Sequence, residues 1–140
     1  MKRPVDAAKG LAIKAEEDMA VAEVCFRQQL PVSAVCFHCQ QAAEKLLKAF
    51  LTALDADFPW THDLEPLLEL AEERAPELNA FHEPLSGFGA YAVRLRYDAD
   101  VMVSREEAGS ALETVSRLSA LPPKPPFPLP ESPPLPPVAF

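Results

Sequence analysis

The sequence has few of the residues that would build a disulfide framework or a phosphate-binding loop. Its three cysteines are an odd number, which fits a reducing compartment better than a set of paired disulfides. Its four glycines form no glycine-rich loop of the kind that cradles phosphate. No apolar run approaches the roughly 18–20 residues of a membrane span, and the start of the chain lacks the apolar segment of a signal peptide. We therefore expect a cytoplasmic protein without a membrane segment.

Basic residues are also in short supply. The chain has 13 Lys and Arg residues against 21 Asp and Glu residues, which gives a formal net charge of -8. Non-specific electrostatic binding of nucleic acid requires several Lys or Arg side chains per site. The composition therefore argues against a broad nucleic-acid-binding face, although it leaves room for a small basic pocket on an acidic body.

Proline is unevenly distributed along the chain. Six prolines are spread over residues 1–121 and ten lie within residues 122–140. Runs of proline favour extended polyproline II and cannot continue a helix. We expect one folded domain over residues 1–121 and a proline-rich extended tail over 122–140, which is either unstructured or packs along its own domain or a partner subunit.

Apolar residues recur at steps of three and four in five segments, and no segment shows sustained period-two alternation. This pattern predicts an all-α fold, a five-helix antiparallel up-and-down bundle. Ser33 is a plausible N-cap of the second helix, and Ser104–Glu107 fits a capping box before the fifth. The predicted helices cover approximately residues 4–28, 33–54, 61–75, 79–97 and 104–120.

The second predicted helix has two contrasting faces. Its apolar side includes Cys36, Cys39 and Leu47, which is typical of a core face. The opposite side carries His38, Gln41, Lys45 and Lys48 on successive turns. That concentration of hydrogen-bond donors makes this polar stripe the first candidate for a functional site.

Residues Phe37–Ala49, Phe-His-Cys-Gln-Gln-Ala-Ala-Glu-Lys-Leu-Leu-Lys-Ala, closely resemble the signature helix of the HEPN domain family (higher eukaryotes and prokaryotes nucleotide-binding). Thr61–Leu64 is similar to the His-Asp-Leu entry into that family's third helix. Arg96 and Tyr97 resemble the Arg-Tyr-Pro end of its fourth helix, with Asp98 in place of the proline. The three landmarks occur in the family's order.

The resemblance implies a five-helix bundle that forms a homodimer and works beside a small nucleotidyltransferase, as in toxin–antitoxin pairs. It also implies, for many members, RNase activity from an Arg and a His separated by four to six residues. No histidine follows Arg94 or Arg96 at that spacing, and seven residues including Pro76 separate Arg74 from His82. The usual RNase motif is therefore missing from this chain.

The candidate nucleotide- or phosphate-binding residues are His38, Gln41, Lys45, Lys48, Arg94, Arg96 and Tyr97. If the fourth helix faces the polar stripe, its arginines would complete a compact anion site. The alternatives are a histidine bonded at a helix contact, lysines that are solvated or paired with acidic neighbours, and a tyrosine packed at a helix end. We expect no cofactor and no metal, because the cysteine pair has no second ligand pair nearby and lies on the apolar face.

Two functional hypotheses follow. The first is a dimeric module that binds a nucleotide or a partner protein, and Gly87, Gly89 and Ala90 favour the dimer because they leave room for another helix. The second is an RNase with a rearranged site in which His38 supplies the missing histidine. A purely structural assembly module is the third possibility.

Overall fold

The computed structural model describes residues 4–92, 94–97 and 102–120, and these ranges contain helices and connections but no strand. The all-α fold is confirmed, while the predicted tail lies outside the described residues. The helices are α1 (Pro4–Arg27), α2 (Val32–Ala53), α3 (Leu64–Arg74), a 3₁₀ helix (Pro76–Phe81), α4 (His82–Leu85), α5 (Gly89–Ala92), α6 (Arg94–Tyr97) and α7 (Arg105–Ala120). None of these helices is long and apolar enough to cross a membrane.

The α1–α2 pair is the centre of the fold. The residues of α1 that are completely or almost completely buried are all alanines, which lets the two helices approach closely: Ala8, Ala12, Ala15 and Ala22. Only four residues connect the helices, so they are antiparallel. α2 also contacts α3, α5, α6 and α7, and its apolar face forms the middle of the core.

Both helices of this pair end in the same way. Gln29 and Asp55 adopt the left-handed conformation, with φ of 57° and 53°. The next residue then donates its N–H to a carbonyl five residues back, Leu30 to Cys25 and Ala56 to Leu51, at 2.9 Å and 3.0 Å. This geometry satisfies carbonyls that a helix end leaves unpaired, and it is usually built with glycine.

The fourth predicted helix is divided into short segments. After the 3₁₀ helix and α4, the chain turns at residues 86–88 before α5 and α6. The N–H groups of Phe88 and Tyr91 bond to carbonyls three residues back, so the segment is tighter than an α-helix. A Cβ on Gly87 or Gly89 would meet no atom within 4 Å, so no backbone of the described chain approaches these glycines. Phe81, Leu85 and Phe88 are nevertheless buried, as the periodicity predicted, and Tyr91 is buried as well although it was not part of the predicted stripe.

Two of the predicted caps differ in detail. Ser33 is not the N-cap of α2, because the helix begins at Val32 after Pro31, whose extended backbone occupies the cap position. Ser104 does accept a hydrogen bond from the N–H of Glu107, at 3.0 Å, which is one half of the predicted capping box. The Glu107 carboxylate accepts instead from the Tyr91 hydroxyl, at 2.9 Å, and thereby ties α7 to α5.

Candidate functional site

The predicted polar stripe of α2 is divided between two edges of the helix in the structure. His38 and Lys45, seven residues apart, point towards α1, and we call them the α1-facing edge. Gln40, Glu44 and Lys48, spaced by four, form a second edge that meets the loop before α3, and we call it the loop-facing edge. Lys48 therefore does not share the environment of Lys45, contrary to the single stripe predicted from the sequence.

Asp18 of α1 holds both residues of the α1-facing edge. Its Oδ1 lies 2.9 Å from His38 Nδ1 and its Oδ2 lies 2.5 Å from Lys45 Nζ. The Asp18 side chain is only 12% exposed, whereas those of His38 and Lys45 remain 28% and 26% exposed. The carboxylate thus compensates the lysine charge and fixes the histidine ring through Nδ1, while Nε2 is not used by this contact.

Gln41 lies between the two edges on α2 and bonds to the loop-facing one. Its amide donates to Gln40 Oε1 at 2.8 Å, and the buried Gln40 amide donates to the backbone carbonyl of His62 at 3.2 Å. A buried amide requires such partners, because leaving one unpaired costs roughly 1–3 kcal/mol. The predicted binding residue Gln41 is therefore engaged within the chain.

Glu44 is the centre of the loop-facing edge. Its side chain is 7% exposed, and its two oxygens lie 3.5 Å from Lys48 Nζ and 3.0 Å from His62 Nδ1. Lys48 Nζ also lies 5.2 Å from the centroid of the Trp60 ring, a cation–π distance. This edge ties the loop that leads into α3 to the side of α2.

The other three predicted site residues lie on α6, which packs against α2. Arg94 is exposed and Tyr97 is 75% exposed. The side chain of Arg96 lies outside the described residues, so the anion site that would join it to His38 and Lys45 stays a prediction.

Cys36 and Cys39 are buried in the core, as their place on the apolar face predicted. Burial raises the pKa of the Cys36 thiol to about 11 and that of Cys39 to about 12. Metal ligation requires the thiolate. Within the described ranges, no cluster of three His, Cys, Asp or Glu side chains is arranged to hold a metal ion.

A third polar cluster joins α3 to α4. His82 lies between two carboxylates, with Nδ1 2.6 Å from Glu65 and Nε2 2.6 Å from Glu72. The hydrogen bond to Glu72 is the main cause that raises the pKa of His82 above its usual range, and the bond to Glu65 adds to it. The two ring nitrogens are both engaged, so this histidine is a structural link.

Sequence reasoning missed most partners of the predicted residues: Asp18, Gln40, Trp60 and His62. Glu44 is an acidic neighbour of the kind expected as one alternative for the lysines. Asp18 is 20 and 27 residues from the side chains it contacts. No local pattern distinguishes it from the other acidic residues of α1. Gln40, Glu44 and Lys48 follow a four-residue spacing, which could have indicated a second face of α2.

Taken together, the molecule is an all-helical bundle whose second helix carries a half-buried polar cluster on one edge and a buried polar tether on the other. Comparison with protein families agrees with this helical class and names the family, because the HEPN domain family matches residues 8–121. The chain belongs to the HEPN family. Comparison with curated proteins and with solved structures gave no match.

Proposed function

We propose that this HEPN-domain chain is a dimeric, non-catalytic binding module that works with a nucleotidyltransferase-type partner in a toxin–antitoxin-type pair. Its α1-facing edge would be the site for a nucleotide. The observation that carries the proposal is the half-buried cluster of His38 and Lys45 around Asp18, in a chain that lacks the Arg-to-His spacing. These side chains are held in place and remain about a quarter exposed, so their polar atoms lie within reach of a ligand.

The charge balance of the α1-facing edge supports a ligand of modest charge. Asp18 offsets Lys45, and His38 adds a positive charge only when protonated. A phosphate would therefore compete with Asp18 for Lys45, and the acidic chain as a whole would oppose a long polyanion. Mononucleotides and short RNAs are consequently the ligands to test first.

Isothermal titration with ATP, GTP and a short RNA tests the nucleotide half of the proposal. We expect saturable heat with at least one of them, and its loss in Lys45→Ala. Lys14→Ala is the matched control, because Lys14 pairs with Glu17 on the exposed side of the same hairpin. An absence of heat with all three ligands would reject nucleotide binding.

Dimerisation has its own support in the open groove between residues 80–91 and 107–117. The groove has a volume of about 520 Å³ and includes Gly87, whose added Cβ would meet open space. We expect light scattering to give the mass of a dimer, and Gly87→Arg to give a monomer. Gly10→Arg is the control, because Gly10 also faces open space on α1. A monomeric mass for the unchanged protein at micromolar concentration would contradict this part.

One observation favours the alternative, an RNase with a rearranged site. Asp18 orients His38 through Nδ1, an arrangement in which a carboxylate directs the other ring nitrogen of a histidine towards a substrate. In this alternative, His38 would move the proton of a ribose 2′-hydroxyl, and Arg96 would stabilise charge on the phosphate. Cleavage of bulk RNA that is lost in both His38→Ala and Arg96→Ala would support it, and cleavage that survives both would reject this site.

A further inference from the structure

Trp60 is the most exposed large hydrophobic side chain in the described part of the protein. It is 90% exposed, and it is the only tryptophan in the chain. An exposed ring of this size contributes little to the core, and tryptophan is the residue type most enriched among the side chains that dominate protein interfaces. The exposure of Trp60 is therefore better explained by binding than by the folding of the domain.

The ring is exposed but it is held in place. The neighbouring His62 is fixed through its carbonyl by Gln40 and through its ring by Glu44, both of which are buried. The His62 ring stands edge-on to Trp60 with 6.4 Å between centroids, and Lys48 Nζ lies 5.2 Å from the Trp60 centroid. A side chain ordered before binding loses less conformational entropy when a partner arrives.

The chain on either side of Trp60 is acidic. Asp57 and Asp63 lie three residues away on either side, both are exposed, and neither carboxylate has a hydrogen-bond or ion-pair partner among the described residues. Three residues span at most about 10 Å, which is close to the screening length at physiological salt. The charge of Lys48 is already offset by Glu44. A phosphate is therefore disfavoured here, and a cation is favoured.

We propose that Trp60, Asp57 and Asp63 form a docking surface for a basic segment of a partner protein, with an arginine side chain stacked on the Trp60 ring. Arginine fits better than lysine, because its planar guanidinium stacks on aromatic faces and pairs with carboxylates through two parallel hydrogen bonds. The contact of Lys48 with the same ring is an example of this cation–π chemistry within the chain. This inference specifies the chemistry by which the partner protein of the proposed function would be recognised, and it rests on that proposed function.

The single tryptophan provides a direct readout, because all tryptophan emission of the protein comes from Trp60. The full chain is titrated with an eight-residue peptide of alternating glycine and arginine, and with matched peptides that carry citrulline or lysine. We expect a saturable change in emission with the arginine peptide, weaker binding with lysine, and binding about tenfold weaker with citrulline. High salt should weaken the arginine response.

Variants separate the roles of the ring and of the carboxylates, with a labelled peptide followed by anisotropy. Trp60→Ala should abolish binding and Trp60→Phe should retain part of it. The melting temperature should fall by no more than a few degrees, because the contact of the exposed ring with Lys48 is weak. The double variant Asp57→Asn and Asp63→Asn should bind about tenfold more weakly. Glu23→Gln with Glu77→Gln, which removes two exposed carboxylates elsewhere, should bind normally.

Several results would overturn the inference. They are an absence of saturable change, equal binding of the citrulline peptide, a response to ATP in place of the peptide, and an emission that shifts only with protein concentration. The last two would identify the ring as a nucleobase platform or as a contact between two copies. A protein that dimerises and binds nucleotide through Lys45 but ignores the peptide would contradict this inference alone.

Discussion

The two edges of α2 use the same kinds of side chain in different surroundings. On the α1-facing edge, one aspartate from another helix holds a histidine and a lysine that remain about a quarter exposed. On the loop-facing edge, the glutamate belongs to α2 itself and is almost fully buried with its lysine. The first arrangement leaves polar atoms within reach of a ligand, whereas the second fastens a loop. Similar residues on one helix thus provide a candidate site and a structural tether.

The largest expected effect comes from the buried glutamate. Glu44→Ala leaves Lys48 buried without its counter-charge, and we expect the free energy of unfolding to fall by about 2–4 kcal/mol. Urea denaturation followed by circular dichroism measures it. Lys14→Ala is the control, because the Lys14–Glu17 pair is more than half exposed and should contribute less than about 1 kcal/mol. A loss below about 1 kcal/mol for Glu44→Ala would show that the tether is dispensable.

The α1-facing edge should respond less in stability and more in binding. Asp18→Asn keeps the shape of the side chain but removes its charge, so we expect a loss of about 1 kcal/mol in unfolding free energy. Because Lys45 is then uncompensated, affinity for a mononucleotide should rise by about threefold to tenfold in calorimetry. Glu17→Gln, one residue away and exposed, serves as the control. Weaker nucleotide binding in Asp18→Asn would instead mean that the aspartate organises the site.

His82 extends the comparison to pH, because it has two carboxylate partners. Its pKa is raised in the folded state, so its contribution to stability is fully present below the usual histidine pKa of about 6.5 and is lost as pH rises through the raised value. The difference in melting temperature between the unchanged protein and His82→Gln should therefore be greatest in mildly acidic buffer and shrink towards alkaline pH. A difference in melting temperature that grows with pH would contradict the stabilising role of the His82 contacts with Glu65 and Glu72.

The smallest effect is expected at the ends of the α1–α2 pair. Gln29 and Asp55 both adopt a left-handed backbone, which costs most residues about 1–2 kcal/mol but costs glycine nothing. Gln29→Gly should stabilise the protein by about 0.5 kcal/mol, after the greater freedom of glycine in the unfolded chain is subtracted. Asp55→Gly should gain less, because aspartate tolerates this conformation better than glutamine. Denaturant unfolding curves of the two variants measure both gains, and a larger gain for Asp55→Gly than for Gln29→Gly would contradict this prediction.

Much of the fold could be predicted because its signals are local. Apolar spacing placed Cys36, Cys39 and Leu47 on the buried face of α2, and the signature of the same helix indicated the family that the whole-domain match confirms. The same kind of spacing predicted one continuous fourth helix, but the structure divides it into short segments. The spacing could not reveal this division, because Phe88 and Tyr91 remain buried in a tighter turn. Burial of a stripe does not require a regular helix.

The candidate site could be predicted only in part. The polar residues of α2 were identified, but their division into two edges depends on which neighbour each one meets. Asp18 and Trp60 contact α2 through the tertiary packing of the chain, which no local pattern indicates.

The sequence by itself determined the four longest helices, the buried face of α2 and the family, because each depends on residues a few positions apart. The tertiary structure alone decided that Asp18 compensates Lys45, that Glu44 fastens His62, and that Trp60 stays in solvent. The physical reason is the sequence separation of the residues that interact. Helical periodicity is set within a turn, whereas Asp18 meets Lys45 and Glu44 meets His62 only through packing between residues 27 and 18 positions apart.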